Sequence, residues 1–385
     1  MQKIVNNKIN VDWLLGTYPK STDKFFPAKL NFEAGIACRL KCGGCMMRHD
    51  MKRVSQGWPD RYNIRLDSYK VIFEAFNNFD FCGNLSDPIY HPDFINTLKY
   101  LKGKNHNINF HTNGSGKTKK WWTKVFELCQ GENWTWIFAL DGLPEESHIY
   151  RINQNGNHVW EMMKLGKEMG AIIDWQWIVF KYNQYHIDEG KLMAAQYGIN
   201  FKEMHSTRWK DDRPISEGGP LNGTGTGVDM SVYKPDEKHI AVKRYTAHER
   251  NVYKEEIKEY YSKPQTIHWT APIKSKVKVE IDPDCLSKIR KPIMFNSLGY
   301  FIPCCEKDQW VEAMTKRGFY QKKFHIDNLH TKEDIKNVFM SDTWQDFYMG
   351  LFNNPESAPR NCRTFCVKNK NVHSLGRGSD PKGFV

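Results

Sequence analysis

Ala37-Cys38-Arg39-Leu40-Lys41-Cys42-Gly43-Gly44-Cys45 is the stretch from which the rest of the chain is read. Its spacing is C-x3-C-x2-C, so it offers three thiolates and no fourth at the same pitch. Four thiolates would close around an iron–sulfur cluster used for structure or electron transfer. Three leave one metal corner open to a further ligand. Structural zinc prefers four closed ligands, usually in two C-x2-C pairs. His49 lies near enough in sequence to complete such a shell, so zinc stays open on this stretch alone. Gly43 and Gly44 carry no Cβ and let the backbone approach a bound group closely.

Composition narrows the setting. The chain has 385 residues, room for one large domain and a smaller second one. With 14% aromatic residues and 13 Trp it has the material for a large core, which argues against disorder. No apolar run reaches the length of a membrane span, and Met1–Asn10 holds no apolar signal core. A cytoplasmic location is therefore expected, with no membrane partner. There the 10 cysteines would be reduced and available as ligands rather than disulfides. The net charge of +12 allows a nucleic-acid or acidic-peptide partner. The basic residues are dispersed, however, as on a generally basic surface.

Apolar periodicity outward from the cysteines alternates strands and helices. Strands are expected at Ala28–Phe32, Asp80–Gly83, Ile108–His111, Trp134–Leu140, Ile172–Phe180 and Phe201–Met204. Helices are expected at Leu66–Asn77, Pro92–Lys102, Lys119–Cys129, Trp160–Met169 and Asp188–Tyr197. This alternation implies an α/β fold with a parallel sheet and crossover helices. Residues 1–27 read as a preamble and 211–276 as a connector or lid. Within the connector, Glu217–Gly227 is glycine-rich, but no strand precedes it and the Lys-Ser/Thr of a phosphate loop is missing. A charged helix at Ala247–Tyr261 is expected beside it. The tail, 369–385, reads as basic and flexible.

The cysteine spacing, near the start of an α/β chain, resembles that of the radical S-adenosylmethionine (radical SAM) superfamily. The resemblance implies a partial (β/α)6 TIM-like barrel over 28–210, with the chemistry at the carboxyl ends of its strands. It implies a [4Fe-4S] cluster on Cys38, Cys42 and Cys45 whose open iron chelates SAM. An electron then splits SAM into methionine and a 5′-deoxyadenosyl radical. The chain departs from the family at Gly44, where an aromatic residue usually stands.

Further stretches carry the likeness. Leu85-Ser86-Asp87-Pro88 followed by His91-Pro92 resembles the family's Gly-Gly-Glu-Pro turn, which holds the SAM amino group and here points to Asp87. As an unaided reading it is an Asp-Pro turn. Thr112-Asn113-Gly114 resembles a common strand-end turn and implies Thr112 and Asn113 near the ribose; it also reads as an Asn-Gly turn. Phe138-Ala139-Leu140-Asp141-Gly142, with His148 and Arg151, resembles the Ser-Ile-Asp-Gly-Pro…Arg stretch of the sulfatase-maturase-like branch. There the Arg pairs with the SAM carboxylate, a task suited to its planar fork. Ala139 replaces the Ser, which passes the ribose contact to Thr112 or Asp141. Asn183 matches a position near adenine or ribose. Asp87 and His205 are the candidates for a catalytic acid or base.

A second set of cysteines lies at Cys285, Cys304, Cys362 and Cys366, with Cys305 as a spare. It resembles the auxiliary modules called SPASM and Twitch and implies a small α+β domain over 277–368 with one auxiliary [4Fe-4S] cluster. Ile326–His330 and a helix ending near Trp344 resemble the strand and helix of those modules. Zinc is an acceptable ion for the same four thiolates. Cys82 and Cys129 lack partners at ligand spacing and read as buried thiols. Within the superfamily this module implies a peptide or protein substrate to be oxidised, cross-linked or epimerised. It also implies an electron donor such as flavodoxin or ferredoxin. A carbohydrate, nucleotide or nucleic-acid substrate is the alternative. The opposing class is a non-catalytic, metal-stabilised RNA-binding protein.

Overall fold

The computed structural model describes residues 4–6, 8–9, 29–43, 45, 63–83, 86–205, 235–236, 281, 293–304, 311–359, 362 and 366. Gly44, His49, Cys285, Cys305, the glycine-rich run 217–227, the helix expected at 247–261 and the tail 369–385 lie outside the described residues. So do the preamble and connector, apart from the positions just given.

All six expected barrel strands form. A two-strand hairpin, β1 (Ile4–Val5) and β2 (Lys8–Ile9), precedes them. The barrel strands are β3 (Lys29–Phe32), β4 (Asn78–Phe81), β5 (Asn107–Thr112), β6 (Trp134–Ala139), β7 (Ile172–Ile178) and β8 (Asn200–Met204). They lie side by side in chain order, every neighbouring pair parallel. Two further strands come from the C-terminal region, β9 (Ile293–Phe295) and β10 (Phe301–Ile302). β9 pairs in parallel with β3, and β10 closes antiparallel on β9. The sheet thus has eight strands in the order β10-β9-β3-β4-β5-β6-β7-β8 and does not close into a ring. Part of the region expected to form a separate auxiliary domain therefore continues the barrel sheet.

The helices follow their strands. They are α1 (Leu66–Tyr69), α2 (Ile72–Ala75), α3 (Phe94–Leu101), α4 (Lys119–Cys129), α5 (Gly156–Glu168) and α6 (Ile187–Gln196). The helix expected at 66–77 is two short pieces. Its middle is tightened, with Phe73 N–H donating to Lys70 and Glu74 N–H to Val71 three residues back. Thr118 caps α4 by accepting from Trp121 N–H, and Asn155 caps α5 by accepting from His158 N–H. In the C-terminal region α7 is Val311–Lys316, α8 is Lys332–Met340 and α9 is Asp342–Asn353. α8 begins with a reciprocal Thr331–Asp334 capping box. Trp344 begins α9 rather than ending a helix, and Ile326–Asn328 is a single 3-10 turn rather than a strand.

Strand alternation gives the sheet two unlike faces. The helix-covered face buries Phe32, Phe79, Phe81, Phe110, Trp134, Trp136, Phe138, Trp175 and Trp177. Trp136 stacks on Phe110 at 4.6 Å between centroids and donates from Nε1 to the Cys129 thiol at 3.1 Å. The concave face is polar. Asn109 Nδ2 donates to Asp80 at 2.8 Å, and Lys29 Nζ lies 2.6 Å from the same oxygen. Asn107 donates to Asn78 at 2.9 Å, and Lys202 pairs with Asp174 at 2.5 Å. Burial works to raise the Asp80 carboxyl, but His111 and Lys29 outweigh it and hold it at about 2. Most of the core therefore lies between sheet and helices, with a smaller apolar cluster at the carboxyl ends of β7 and β8 on the concave side.

Replacing Trp136 by Ala removes a fully buried ring from this outer layer together with its hydrogen bond to the Cys129 sulfur. The unfolding free energy should fall by about 3–5 kcal/mol, read from urea denaturation.

Candidate active site

Three loops meet at the carboxyl ends of the strands. The loop after β3 carries the cysteines and is pinned to its neighbours through its backbone. Asp87 N–H, in the loop after β4, donates to Ala37 O at 3.0 Å. Lys41 N–H donates to Ile152 O, beyond β6, at 3.0 Å. Within the loop Cys45 N–H returns to Cys42 O at 3.2 Å. Leu40 and Cys42 are buried in a small cluster of their own with Tyr150, Ile178, Phe180 and Met204. Cys38, Cys45 and Tyr182 pack against it. The thiols thus sit over the ends of β7 and β8, on the concave side.

The thiols influence one another electrostatically. Burial pushes Cys38 up to about 12, with Asp87 and the other two cysteines adding to the rise. Burial also pushes Cys42 up to about 12, although the Arg151 guanidinium opposes it. Without a cation these are protonated thiols; a metal would deprotonate them and satisfy the buried sulfurs. Among the described residues no three His, Cys, Asp or Glu side chains converge on a single metal ion. A [4Fe-4S] cube separates its thiolates more widely than a lone ion does, and three cysteines on one glycine-bearing loop fit that larger group.

Asp87 is the hub of the next loop. It is 5% exposed. Its Oδ1 accepts from Ile89 N–H at 3.2 Å and the Thr112 hydroxyl at 3.0 Å, and its Oδ2 from Asn113 N–H at 2.6 Å. Burial pushes its carboxyl up to about 6, against the pull of these donors. Thr112 is therefore committed to Asp87, while its Oγ also accepts from Gly114 N–H at 3.0 Å. Gly114 has φ +70°, and a Cβ there would meet the Phe138 ring at 2.9 Å. Glycine is required at this turn. Asn113 Nδ2 reaches Cys38 Sγ at 3.4 Å, so the structure places it beside a cysteine.

Asp141 and Arg151 form one buried unit. Arg151 Nε lies 2.7 Å from Asp141 Oδ2, with side chains 12% and 0% exposed. Asp141 Oδ1 accepts from Ile178 N–H at 2.8 Å. Both carboxylate oxygens are engaged, so Asp141 anchors Arg151 instead of meeting a ribose. Burial raises its carboxyl and Arg151 draws it back. The Nη groups of Arg151 are left as the edge that would take an incoming carboxylate.

Two other expected residues have different tasks. Asn183 is fully buried; its Oδ1 accepts from Phe180 N–H at 2.7 Å and its Nδ2 donates to Ile178 O at 3.0 Å. Both ends of its amide close the turn after β7. His205 falls on the helix-covered face with Glu203, and its Nε2 lies 2.8 Å from Glu203 Oε1. Glu203 also pairs with Lys191 of α6 at 2.9 Å. The strand alternation that puts Met204 toward the cysteines turns His205 away from them.

Residues the sequence did not single out complete the site. Gln154, 5% exposed, donates from Nε2 to both Asn113 O at 2.7 Å and Ala139 O at 3.0 Å. Tyr182 OH donates to Asp141 O at 2.7 Å, and Tyr90 OH to Ser115 O at 2.6 Å. All three lie outside the main strands and helices, Tyr90 in a short 3-10 turn, where neither periodicity nor a ligand spacing marks them. Of the second cysteine set, Cys304 follows β10. Cys362 is buried in the main core with Cys366 packed against it. Cys366 N–H donates to Cys362 O at 3.0 Å, so the two are one helical turn apart. As expected, Cys129 is a buried thiol; Cys82 donates to Asn31 Oδ1 at 3.7 Å.

The fold and this loop cluster define an α/β partial barrel with a three-thiol site at the strand carboxyl ends. No protein-family model matches the chain, and no curated protein does. Among solved structures, Streptococcus suis SuiB bound to precursor peptide SuiA is similar, with TM-score 0.50 and 14% identity, over 83% of this chain and 66% of that one. SuiB bound to S-adenosylmethionine is similar, with TM-score 0.47 and 15% identity, over 82% and 66%. Native anSMEcpe with bound AdoMet gives TM-score 0.46 and 16% identity, over 88% and 89%. The chain thus spans a little less than two thirds of SuiB's length. The likeness to the peptide-bound SuiB is one of fold, and it agrees with the partial barrel expected from the sequence.

Two outcomes check this geometry. Arg151→Ala leaves Asp141 as an uncompensated buried carboxylate, and the unfolding free energy should drop by about 3–5 kcal/mol in urea titrations. For Glu203, the His205 hydrogen bond and Lys191 hold the carboxyl at about 2 against an ordinary 4.5. Its stabilising contribution is complete above 4.5 and is lost as pH falls toward 2. Glu203→Gln should flatten that part of the stability–pH curve, measured by the urea midpoint at successive pH values.

Proposed function

We propose that the chain is a radical SAM enzyme that abstracts hydrogen from a peptide or protein substrate. The observation that carries the reading is the three-thiol loop, pinned over the concave side of a partial barrel with Asp87, Asn113 and the Arg151–Asp141 pair around it. A [4Fe-4S] cluster held by Cys38, Cys42 and Cys45 supplies, when bound, the electron that cleaves SAM to methionine and a 5′-deoxyadenosyl radical.

The chain's own residues do the rest. Arg151, held at Nε by Asp141, offers its Nη groups to the SAM carboxylate. The loop carrying Asp87 is the one that would meet the SAM amino group. The carboxylate of Asp87 stays inside, holding the loop after β5 in place. Leu40, Ile178, Phe180 and Tyr150 form an apolar wall that excludes water from the reacting carbon. Position then selects the hydrogen taken, since the cofactors carry the bond-breaking chemistry.

The peptide assignment draws on the likeness of fold. The fold neighbour SuiB was solved with a precursor peptide bound. Residues 28–210 form the catalytic barrel in this reading, and 277–368 carry an auxiliary [4Fe-4S] cluster on Cys285, Cys304, Cys362 and Cys366. The pairing of Cys362 and Cys366 one turn apart fits ligands on a common helical face. A reducing compartment and a small electron-transfer protein such as flavodoxin or ferredoxin complete the scheme. Among the described residues, no helix is long and apolar enough to cross a membrane.

Anaerobic reconstitution with iron and sulfide tests the reading. The protein should turn brown and form 5′-deoxyadenosine from SAM on reduction, and Cys42→Ala should abolish this product. A colourless, zinc-loaded protein that leaves SAM intact defeats the assignment. Replacing Cys362 and Cys366 together should lower bound iron by about one cluster's worth, measured colorimetrically, while SAM cleavage persists.

A further inference from the structure

Asn113 is held on three sides before its side-chain amide nitrogen meets anything. Its backbone N–H donates to Asp87 Oδ2 at 2.6 Å. Its carbonyl accepts from Gln154 Nε2 at 2.7 Å. Its Oδ1 accepts from Ser115 N–H at 2.9 Å. The last contact fixes which way the amide faces: a backbone N–H only donates, so the oxygen must turn to Ser115 and the nitrogen away from it. Nδ2 then points to Cys38 Sγ, 3.4 Å away. The residue is 5% exposed, so water has little room to take its place.

A turn residue alone would not need this amide. Closing the Asn113–Ser115 turn takes only an acceptor oxygen, which Asp or Ser also supplies. Asp would set a second anionic oxygen against the sulfur, and Ser is too short to reach it. Asn closes the turn and donates toward Cys38 with the same side chain. The flanking geometry is built around that double task. Asp87 ties the residue to the loop after β4, and Gln154 ties it to Ala139 at the end of β6.

We propose that Asn113 is a positioning residue that tunes the redox chemistry of the cysteine site: its side-chain N–H···S bond to Cys38 raises the reduction potential of the cluster that Cys38, Cys42 and Cys45 hold. The proposal rests on the reading of those three cysteines as cluster ligands. A hydrogen bond to a ligating sulfur withdraws negative charge from it. The one-electron-reduced cluster carries more negative charge than the oxidised one, so the bond stabilises the reduced form more. Burial of Asn113 strengthens the effect, because little water competes for its amide.

The test starts with the unmutated protein, reconstituted without SAM, one-electron reduced and carrying 15N in its asparagine side-chain amides. Pulsed EPR should show a weak 15N hyperfine coupling to the cluster. In Asn113→Leu, which keeps the bulk and removes the donor, that coupling should vanish and the midpoint potential should move to more negative values. Asn113→Asp should move it further in the same direction. A full cluster signal without the coupling in the unmutated protein overturns the proposal. So does a fully loaded Asn113→Leu protein with an unshifted midpoint. If the variants fail to assemble a cluster, the unmutated spectrum decides alone. If the unmutated protein itself assembles no paramagnetic cluster, the reading of the cysteines falls first and this inference with it, a result distinct from a cluster that lacks the coupling.

Discussion

The site depends on a carboxylate placed where water cannot reach it. Asp87 is buried at the mouth of the sheet, and its oxygens collect the N–H groups of Ile89 and Asn113 and the hydroxyl of Thr112. Its own N–H goes to Ala37, the residue before Cys38. One side chain and its peptide group thus join the loops after β3, β4 and β5. A buried carboxylate is costly unless its lone pairs are filled, and here the donors come from the segments that must be aligned. The cost of burial and the ordering of the loops are the same interaction seen from two sides. Loosening any of the three loops would leave donors or oxygens unmatched, which makes the arrangement cooperative.

The two faces of the sheet explain why the barrel can stay open. A closed small barrel fills its interior with apolar layers. This sheet puts its large apolar residues on the helix side, where Trp122, Trp136 and Phe138 interlock with Phe110 and Phe126. The concave side holds asparagines and the ion pairs of Asp80 and Asp174, and these need no apolar cover. Stability therefore comes from one layer of helices against one face. Adding β9 beside β3 extends that layer, since Phe295 stacks on Phe32 at 5.4 Å and meets Phe301 at 5.3 Å.

Most of the framework was legible in the sequence because it follows from periodicity. Strand positions from Trp134 and Ile172, and the bounds of the helix at Lys119–Cys129, follow from alternation and from the 3.6-residue repeat. The addition of β9 to the sheet was not legible, because a three-residue strand does not reveal its neighbour. Within the site, spacing located the cysteines, and chemical type located Asp87, Asp141 and Arg151. It did not give their duties. Asp141 reads in the sequence as a candidate ribose contact; only the fold shows that Arg151 and Ile178 N–H lie against its two oxygens. The surroundings of Asn183, expected near adenosine, and of His205, a candidate acid or base, were equally hidden: the amide of one closes its own turn and the other faces the helices. Gln154 had no signal at all, since a polar loop residue becomes notable only when the fold buries it.

The Asp141–Arg151 pair shows why an apparent loss of a binding residue improves the site. A lone arginine in this pocket would be a buried, uncompensated cation, and its long chain would have many rotamers. Pairing Nε with Asp141 fixes the plane of the guanidinium and supplies the opposite charge before any ligand arrives. Asp141 is in turn fixed through Ile178 N–H, and the Tyr182 hydroxyl secures its backbone carbonyl. A carboxylate approaching the Nη edge then meets a pre-oriented fork, and less of its binding energy is spent on ordering the protein. The same guanidinium lowers the cost of thiolate charge at Cys42. One buried ion pair therefore both eases charge at the Cys42 thiol and presents an oriented edge to an anionic group.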